Sequence, residues 1–423
     1  MRFIKKIKPD NILLINSSSL FLIYFFNFFI SIIILPKLIS IFGLRGWGEI
    51  TFCQIIINYF IWFIDWSFPQ HSCKLISINE KDPEKRNQIF NKTINSQFIL
   101  FFISSLLLII YALTFSSNKY VFLYGVLIIF GSLLQPYWYL NGREKLYETA
   151  IFQLVNKLIF TFCIYSFFKE NEKIDQYFLF FGISNLIVGI LCSLRIKFYY
   201  LEKINFENIK KTFNFILSSS ELFISSIIGN FTTSVIPFLI GSFYSLDRLG
   251  IYNIAERIKN ITIQIINPIS HSLFPRISKY YFVNKKEGNK ILKKYLLLVI
   301  SISILIFVFI NLFMTEIIQY FTLENLKEIN QILKILMLSF LSNIIYEVII
   351  NQYIIVNGLY QQLNNVKLLI LFSCIALGIP LIFKFGIIGA ATTSLIYELV
   401  GLSYAIKIFL STKNNEISII ESK

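Results

Sequence analysis

The sequence predicts an all-α integral membrane protein of about twelve transmembrane helices. Its composition is strongly apolar, with 56% hydrophobic residues, only 15% charged residues and a mean hydropathy of +0.66, whereas soluble domains carry about a quarter charged residues. Apolar residues run in blocks of roughly 20 or more, the length that crosses a bilayer as a helix. Basic residues gather in alternate loops, the pattern that orients membrane proteins.

Seven stretches contain no Asp, Glu, Lys or Arg, and each predicts one span: 11–36, 93–118, 120–142, 176–194, 222–246, 295–315 and 348–366. Five more tolerate a few charges: 47–70, 148–168, 249–273, 368–383 and 386–410. The first stretch follows a basic N-terminus but is too long for a signal peptide and lacks a small-residue cleavage site. We therefore predict that it is a retained span.

The distribution of basic residues predicts the orientation. With the N-terminus inside, the inner segments carry 27 Lys and Arg residues and the outer segments carry 8. Positive residues favour the cytoplasmic side, so both termini are expected there. The net charge of +15 is thus largely a topology signal, and nucleic-acid binding is not expected because no single soluble face gathers the cations.

A weak internal repeat predicts two six-helix halves. The segment 34–50, ILPKLISIFGLRGWGEI, resembles 238–254, FLIGSFYSLDRLGIYNI, about 204 residues later. Transporters are often built from such repeats, with the substrate between them. The predicted divisions are an N-terminal half at 1–200, a cytoplasmic linker at 201–213, a C-terminal half at 214–412 and a cytoplasmic tail at 413–423.

No known catalytic or nucleotide-binding motif occurs. The chain lacks a G-x-x-x-x-G-K-[ST] loop, an H-E-x-x-H pair and a G-x-S-x-G elbow. Its five cysteines show no paired spacing, so neither a disulfide framework nor a metal site is predicted. We expect a transporter rather than an enzyme, with no catalytic residue, metal or cofactor; the short outer loops argue against a membrane polymerase.

Four basic residues are candidates for a cationic cavity: Lys74, Lys157, Arg257 and Arg276. An ionisable group near the bilayer centre costs at least ~2.5 kcal/mol, so it usually faces a cavity or a partner. Lysines near helix ends can instead reach the interface, and Arg276 has the alternative interpretation of a plain cytoplasmic anchor.

Four acids are candidates for ion coupling or charge pairing: Asp65, Glu256, Glu347 and Glu398. Asp65 could pair with Lys74 or cap a helix break at Pro69. Glu256 has the i, i+3 spacing to neutralise Lys259 on one helix face. Glu347 and Glu398 stand alone in apolar helices, where acids often carry a proton or sodium, although a buried structural hydrogen bond is an equal alternative.

Three motifs resemble the polysaccharide exporters of the multidrug/oligosaccharidyl-lipid/polysaccharide flippase superfamily, in particular its O-antigen branch. DWSFPQHSCKLIS (65–77) is similar to a family pattern, with Ser67 in place of a glycine and Lys74 in place of an arginine. QPYWYLNGREK (135–145) keeps Pro136, Trp138, Gly142 and Glu144. LGIYNIAERI with the following NPISHSLFPRIS (249–278) keeps Gly250, Tyr252, Pro275 and Arg276, among others.

This resemblance implies a MATE-like fold and the translocation of an undecaprenyl-pyrophosphate-linked oligosaccharide between two six-helix halves. Arg and Lys suit such a cargo because they replace water around a pyrophosphate. A polysaccharide polymerase and a chain-length regulator would be its partners, together with the lipid bilayer. The alternative within the superfamily is a drug/cation antiporter, which would offer an acidic lumen.

Overall fold

The computed structural model describes residues 9–114, 116, 118–169, 173–202, 205, 208–283 and 285–421, and side chains are described for most of those from Phe26 to Ser411. These residues form helices and short connections, without a strand among them. In chain order the helices are α1 (Pro9–Asp65), α2 (Phe68–Ile78), α3 (Pro83–Thr114), α4 (Lys119–Leu133), α5 (Tyr137–Gly142), α6 (Leu146–Phe167), α7 (Ile174–Tyr199), α8 (Ile209–Ser218), α9 (Ser220–Phe243), α10 (Leu246–Val283), α11 (Lys285–Leu312), α12 (Met314–Phe321), α13 (Leu326–Ile349), a short π-helix (Ile350–Ile354) and α14 (Tyr360–Glu421).

Nine segments in the described part of the chain are long and apolar enough to cross a membrane. Two of them contain a break at a glycine, because Gly43 (φ 66°) interrupts α1 and Gly386 (φ 60°) interrupts α14. Glycine tolerates positive φ at no steric cost, so each long helix bends there into two passes. The two breaks turn the nine segments into eleven passes, and the more polar α10 adds a twelfth in the described part of the chain. The predicted all-α membrane fold is confirmed.

One compact unit, unit 1, comprises residues up to Gly43 and Ile50–Ile227. In it α4 and α7 pack closely through small residues: a Cβ on Gly189 would lie 2.8 Å from the carbonyl oxygen of Gly131. Small residues let helix backbones approach in a membrane, where van der Waals packing drives association. A buried cluster around Trp138, Tyr139 and Leu140 of α5 also includes residues of α2, α3 and α7.

The other unit, unit 2, comprises Leu44–Glu49 and Ile228 onward. Within it two helix starts cross at a pair of glycines. A Cβ on Gly48 would lie 1.7 Å from the carbonyl oxygen of Leu246, and a Cβ on Gly250 would lie 2.1 Å from that of Leu44. The two Leu-x-x-x-Gly segments thus contact each other reciprocally.

Three boundaries differ from the sequence predictions. The predicted span 348–366 is wrong: the helix runs over Leu326–Ile349, continues as the π-helix and ends before a turn at Gly358 (φ 70°). Part of the predicted linker is helical, as α8, and the predicted tail continues α14 as far as Glu421. The division into six-helix halves stays a prediction.

Candidate functional site

A cavity of about 320 Å³ lies inside unit 2, between α9, α10, α13 and α14. Its polar lining includes Thr232, Thr233, Asn260 and Asn343. Five charged side chains line it as well: Glu256, Lys259, Glu347, Lys367 and Glu398. Intramembrane ionisable groups that converge on a cavity mark a functional site by default.

The centre of this charge cluster is an ion pair between α10 and α14. Lys259 Nζ lies 3.4 Å from Glu398 Oε1, and both side chains are almost fully buried, at 6% and 5% exposed. The same ammonium also lies 3.3 Å from Ser339 Oγ on α13 and 3.4 Å from Ser394 Oγ. Three acceptors from two further helices therefore hold one cation in place.

The other acids lie around this pair. Glu347 accepts a hydrogen bond from Asn351 Nδ2, one turn further on, at 2.8 Å. Glu256 lines the cavity one turn before Lys259 on α10. With all five groups ionised the cavity holds three negative charges and two positive ones, so it favours the uptake of one more positive charge.

Two predictions about the acids change with this geometry. Lys259 forms its ion pair with Glu398 on another helix rather than with Glu256, although its charge still acts electrostatically on Glu256. Glu347 and Glu398 are not isolated, since each has a polar partner. Three of the four predicted acids nevertheless line one cavity. Of the two lysines that accompany them, Lys259 was predicted only as a partner of Glu256, and Lys367 was not predicted.

The predicted basic residues lie elsewhere. Lys74 is exposed on α2, and Lys157 is partly exposed in the middle of α6, both in unit 1. Arg257, in unit 2, places its guanidinium 5.7 Å from the ring centre of Trp47, a cation–π contact. The side chains of Pro275 and Arg276 lie outside the described ones.

Asp65, the fourth predicted acid, ends α1 in unit 1. The next residue, Trp66, has a positive φ of 50° and stacks on Phe223 with ring centres 3.6 Å apart. No ion pair with Lys74 forms among the described residues, and α2 begins without a side-chain cap. Both structural alternatives for Asp65 are therefore wrong, and its carboxylate sits at a strained break between two helices.

The 135–145 motif builds the short helix α5. Pro136 precedes the helix, Trp138 Nε1 donates a hydrogen bond to Gln97 Oε1 at 3.3 Å, and a Cβ on Gly142 would lie 2.7 Å from the carbonyl oxygen of Cys73. Glu144 is exposed and has a φ of 56°. The motif thus packs α5 tightly against α2, which explains the need for glycine at 142. In unit 2 the motif residue Tyr252 is 1% exposed, beside the Gly250 crossing.

Sequence reasoning missed a buried ionic network around the same helix. Glu202 Oε1 accepts hydrogen bonds from Arg86 Nε and from Tyr139 OH, both at 2.6 Å. A second carboxylate, Glu148, pairs with Arg195 at 3.0 Å and accepts from Tyr200 OH at 2.7 Å. Burial and this hydrogen bond raise the pKa of the Tyr200 phenol, which keeps it a donor. The network attaches the chain just after α7 to α3, α5 and α6.

Comparison with known families decides the affiliation. The family described as polysaccharide biosynthesis protein matches residues 13–281, well over half of the chain. The chain belongs to this family. The resemblance to a polysaccharide family that the sequence motifs indicate is confirmed by this match.

Two bacterial proteins are similar to this chain in sequence. The chain is 23% identical, over 63% of its length, to a protein of Escherichia coli (strain K12) that is named for O-antigen transport, and the match spans 65% of that relative. It is 25% identical over 63% of its length to the capsular polysaccharide biosynthesis protein CapF of Staphylococcus aureus, covering 68% of that protein.

Solved structures of transporters share its fold. The lipid II flippase MurJ in an inward closed conformation matches 95% of this polysaccharide biosynthesis protein and 87% of MurJ, with a TM-score of 0.76 and 18% identity. An inward-facing multidrug resistance MATE family transporter matches 91% and 96% of the two chains, with a TM-score of 0.63 and 12% identity. The prediction of a MATE-like, multi-pass membrane fold is confirmed.

Proposed function

We propose that this polysaccharide biosynthesis protein is a flippase. It moves an undecaprenyl-pyrophosphate-linked oligosaccharide, the repeat unit of O-antigen or a related surface polysaccharide, from the cytoplasmic to the outer leaflet by alternating access. The observation that carries the proposal is the family match over residues 13–281. Its similarity to a protein named for O-antigen transport and the MurJ-like fold support it.

The unit 2 cavity is proposed to couple transport to an ion gradient. Its three carboxylates exceed its two ammonium groups by one, so one proton or sodium ion neutralises it. A proton or sodium ion that binds to Glu398 or Glu347 cancels the negative charge of that carboxylate. The electrostatic attraction that holds Lys259 and Lys367 in place is then weaker. Loading and release of the ion would then change how α10 and α14 are held to each other.

The pyrophosphate of the substrate would bind to residues that do not line the unit 2 cavity. Lys74, Lys157, Arg257 and Arg276 remain the proposed binding residues, because fixed cations can replace the water around a pyrophosphate. A cavity lined by three carboxyl groups does not suit an anion. Substrate and coupling ion would therefore bind at separate places, and the lipid tail would stay in the bilayer.

The setting is also proposed. The excess of Lys and Arg in alternate loops supports an inner-membrane location with both termini in the cytoplasm. A polysaccharide polymerase would consume the flipped repeat unit, and a chain-length regulator would act with it. Both are proposed partners.

One observation favours a second candidate, a drug/cation antiporter of the same superfamily. Three carboxylates in one partly buried cavity could bind an organic cation directly. The antiporter would confer resistance to cationic dyes and would not depend on a lipid-linked glycan.

Complementation tests the flippase directly. The chain is expressed in a bacterium that lacks its own O-antigen flippase and has relaxed specificity, and surface polysaccharide is examined by gel. We expect polysaccharide to return with the wild-type chain and with the exposed-site control Glu84→Gln, and to be lost with Glu398→Gln and Arg257→Ala at equal protein level. Dye resistance without surface polysaccharide would contradict the flippase and support the antiporter.

A further inference from the structure

The helix α8 presents three distinct surfaces. Its N-terminus is capped by Asn208, whose Oδ1 accepts a hydrogen bond from the Lys210 amide at 2.9 Å. Thr212 and Ile216 are buried on one side, where α8 packs against α3. A hydrogen bond from Ser67 Oγ to the Ser219 carbonyl, 2.9 Å long, fixes the following turn to the start of α2. This ten-residue helix is therefore held rigidly on unit 1.

The side next to the packed one is apolar and exposed. Ile209, Phe213 and Leu217 recur at i, i+4 and i+8, which places them on one face of a helix. They are 76%, 54% and 54% exposed, and no described residue covers them. The third side carries the exposed polar residues Lys210, Lys211 and Asn214.

Exposed apolar residues also precede the helix. Phe198, Tyr199 and Leu201, at and just after the end of α7, are 69%, 56% and 75% exposed. The guanidinium of Arg195 lies 3.7 Å from the ring centre of Tyr199. Aromatic residues beside basic ones are typical of the boundary between lipid and water.

We propose that α8 lies in the plane of the bilayer surface and binds anionic phospholipid. Ile209, Phe213 and Leu217 would enter the boundary between headgroups and acyl chains, as in other interfacial amphipathic helices. Lys210 and Lys211 would contact the negative headgroups, which supplies the charge complementarity. The proposal requires only a chain embedded in a membrane and does not depend on what that chain transports.

Amide hydrogen exchange, measured on the full-length protein, tests whether anionic phospholipid covers the exposed face of α8. The protein is placed in nanodiscs of phosphatidylcholine alone, or of equal parts phosphatidylcholine and phosphatidylglycerol, and exchange of the peptide covering α8 is followed by mass spectrometry. We expect exchange in α8 to slow by up to about 30-fold with phosphatidylglycerol, because each of two lysines near an anionic surface contributes roughly fivefold. Lys210→Gln/Lys211→Gln should remove this difference.

The matched control is Lys81→Gln/Lys85→Gln, which removes the same charge from two exposed positions, one just before α3 and one in its first turn. It should retain the phosphatidylglycerol effect. Ile209→Ser/Phe213→Ser/Leu217→Ser should speed exchange in both lipids while leaving the exchange of α3 unchanged. Equal protection of α8 in detergent and in both lipids would overturn the proposal, because the apolar face would then be covered by protein.

Discussion

Replacing Lys259 by Met tests the arrangement of the unit 2 cavity. The ammonium lies 3.4 Å from Glu398 Oε1, with both side chains almost fully buried. At that distance two unit charges attract by about 5 kcal/mol at an effective dielectric constant of roughly 20. Removing one partner of a buried pair costs about 3–5 kcal/mol, because the other charge remains buried without compensation. We expect Lys259→Met to lower the free energy of unfolding by about 3 kcal/mol or more.

The second substitution distinguishes pairing from packing. Lys259→Met/Glu398→Met removes both charges with side chains of similar volume, and we expect it to recover most of the lost stability, since such replacements are often neutral. The matched control is Arg248→Met, which breaks an ion pair with Glu328 whose side chains are 41% and 42% exposed. Exposed pairs contribute about 0–1 kcal/mol.

Equilibrium unfolding in mixed detergent micelles measures these three variants and the single substitution Glu398→Met. The reasoning fails if Lys259→Met costs no more than Arg248→Met. It also fails if the double variant is as unstable as the sum of its single substitutions, because the two side chains would then act independently.

Three further results are expected. Gly48→Ala should prevent folded protein from accumulating, since its Cβ would lie 1.7 Å from a backbone oxygen, whereas Gly229→Ala, with open space around its Cβ, should accumulate normally; detergent-extracted yield shows the difference. Glu202→Gln should lower stability by about 2–4 kcal/mol in the same unfolding assay, because it weakens the buried contact with Arg86; an unchanged midpoint would contradict that role. Asp65→Asn should leave the free energy of unfolding unchanged or raise it, since no described group balances the charge of the carboxylate. A fall of more than about 1 kcal/mol in this free energy would reveal a structural partner of Asp65.

The sequence predicted most of the helices because uncharged apolar blocks are long and unambiguous. It misplaced the span over 348–366, since a search for uncharged stretches passes over α13, which begins with Lys327 and Glu328 and contains Lys334 and Glu347. Two of these charges have polar partners in the structure, because Glu328 pairs with Arg248 and Glu347 accepts a hydrogen bond from Asn351. Composition alone cannot reveal such contacts.

The candidate site was predicted in part. Glu347 and Glu398 were identified by the cost of a lone acid in an apolar helix, and both line the cavity. The partner of Glu398 could not be inferred in the same way, because Lys259 and Glu398 are 139 residues apart and meet only when α10 packs near α14. The i, i+3 spacing of Glu256 and Lys259 indicated a local pair on α10. In the structure Lys259 instead pairs with Glu398, which is distant in sequence and almost fully buried.

Direct measurement of lipid movement tests the central claim. The purified chain is reconstituted into vesicles with a fluorescent polyprenyl-pyrophosphate oligosaccharide, and the outer-leaflet label is followed under an imposed proton or sodium gradient. We predict flipping that requires the protein, responds to one of the gradients and loses that response in Glu398→Gln. A folded, reconstituted protein that leaves the labelled lipid in its original leaflet under every gradient would contradict the account.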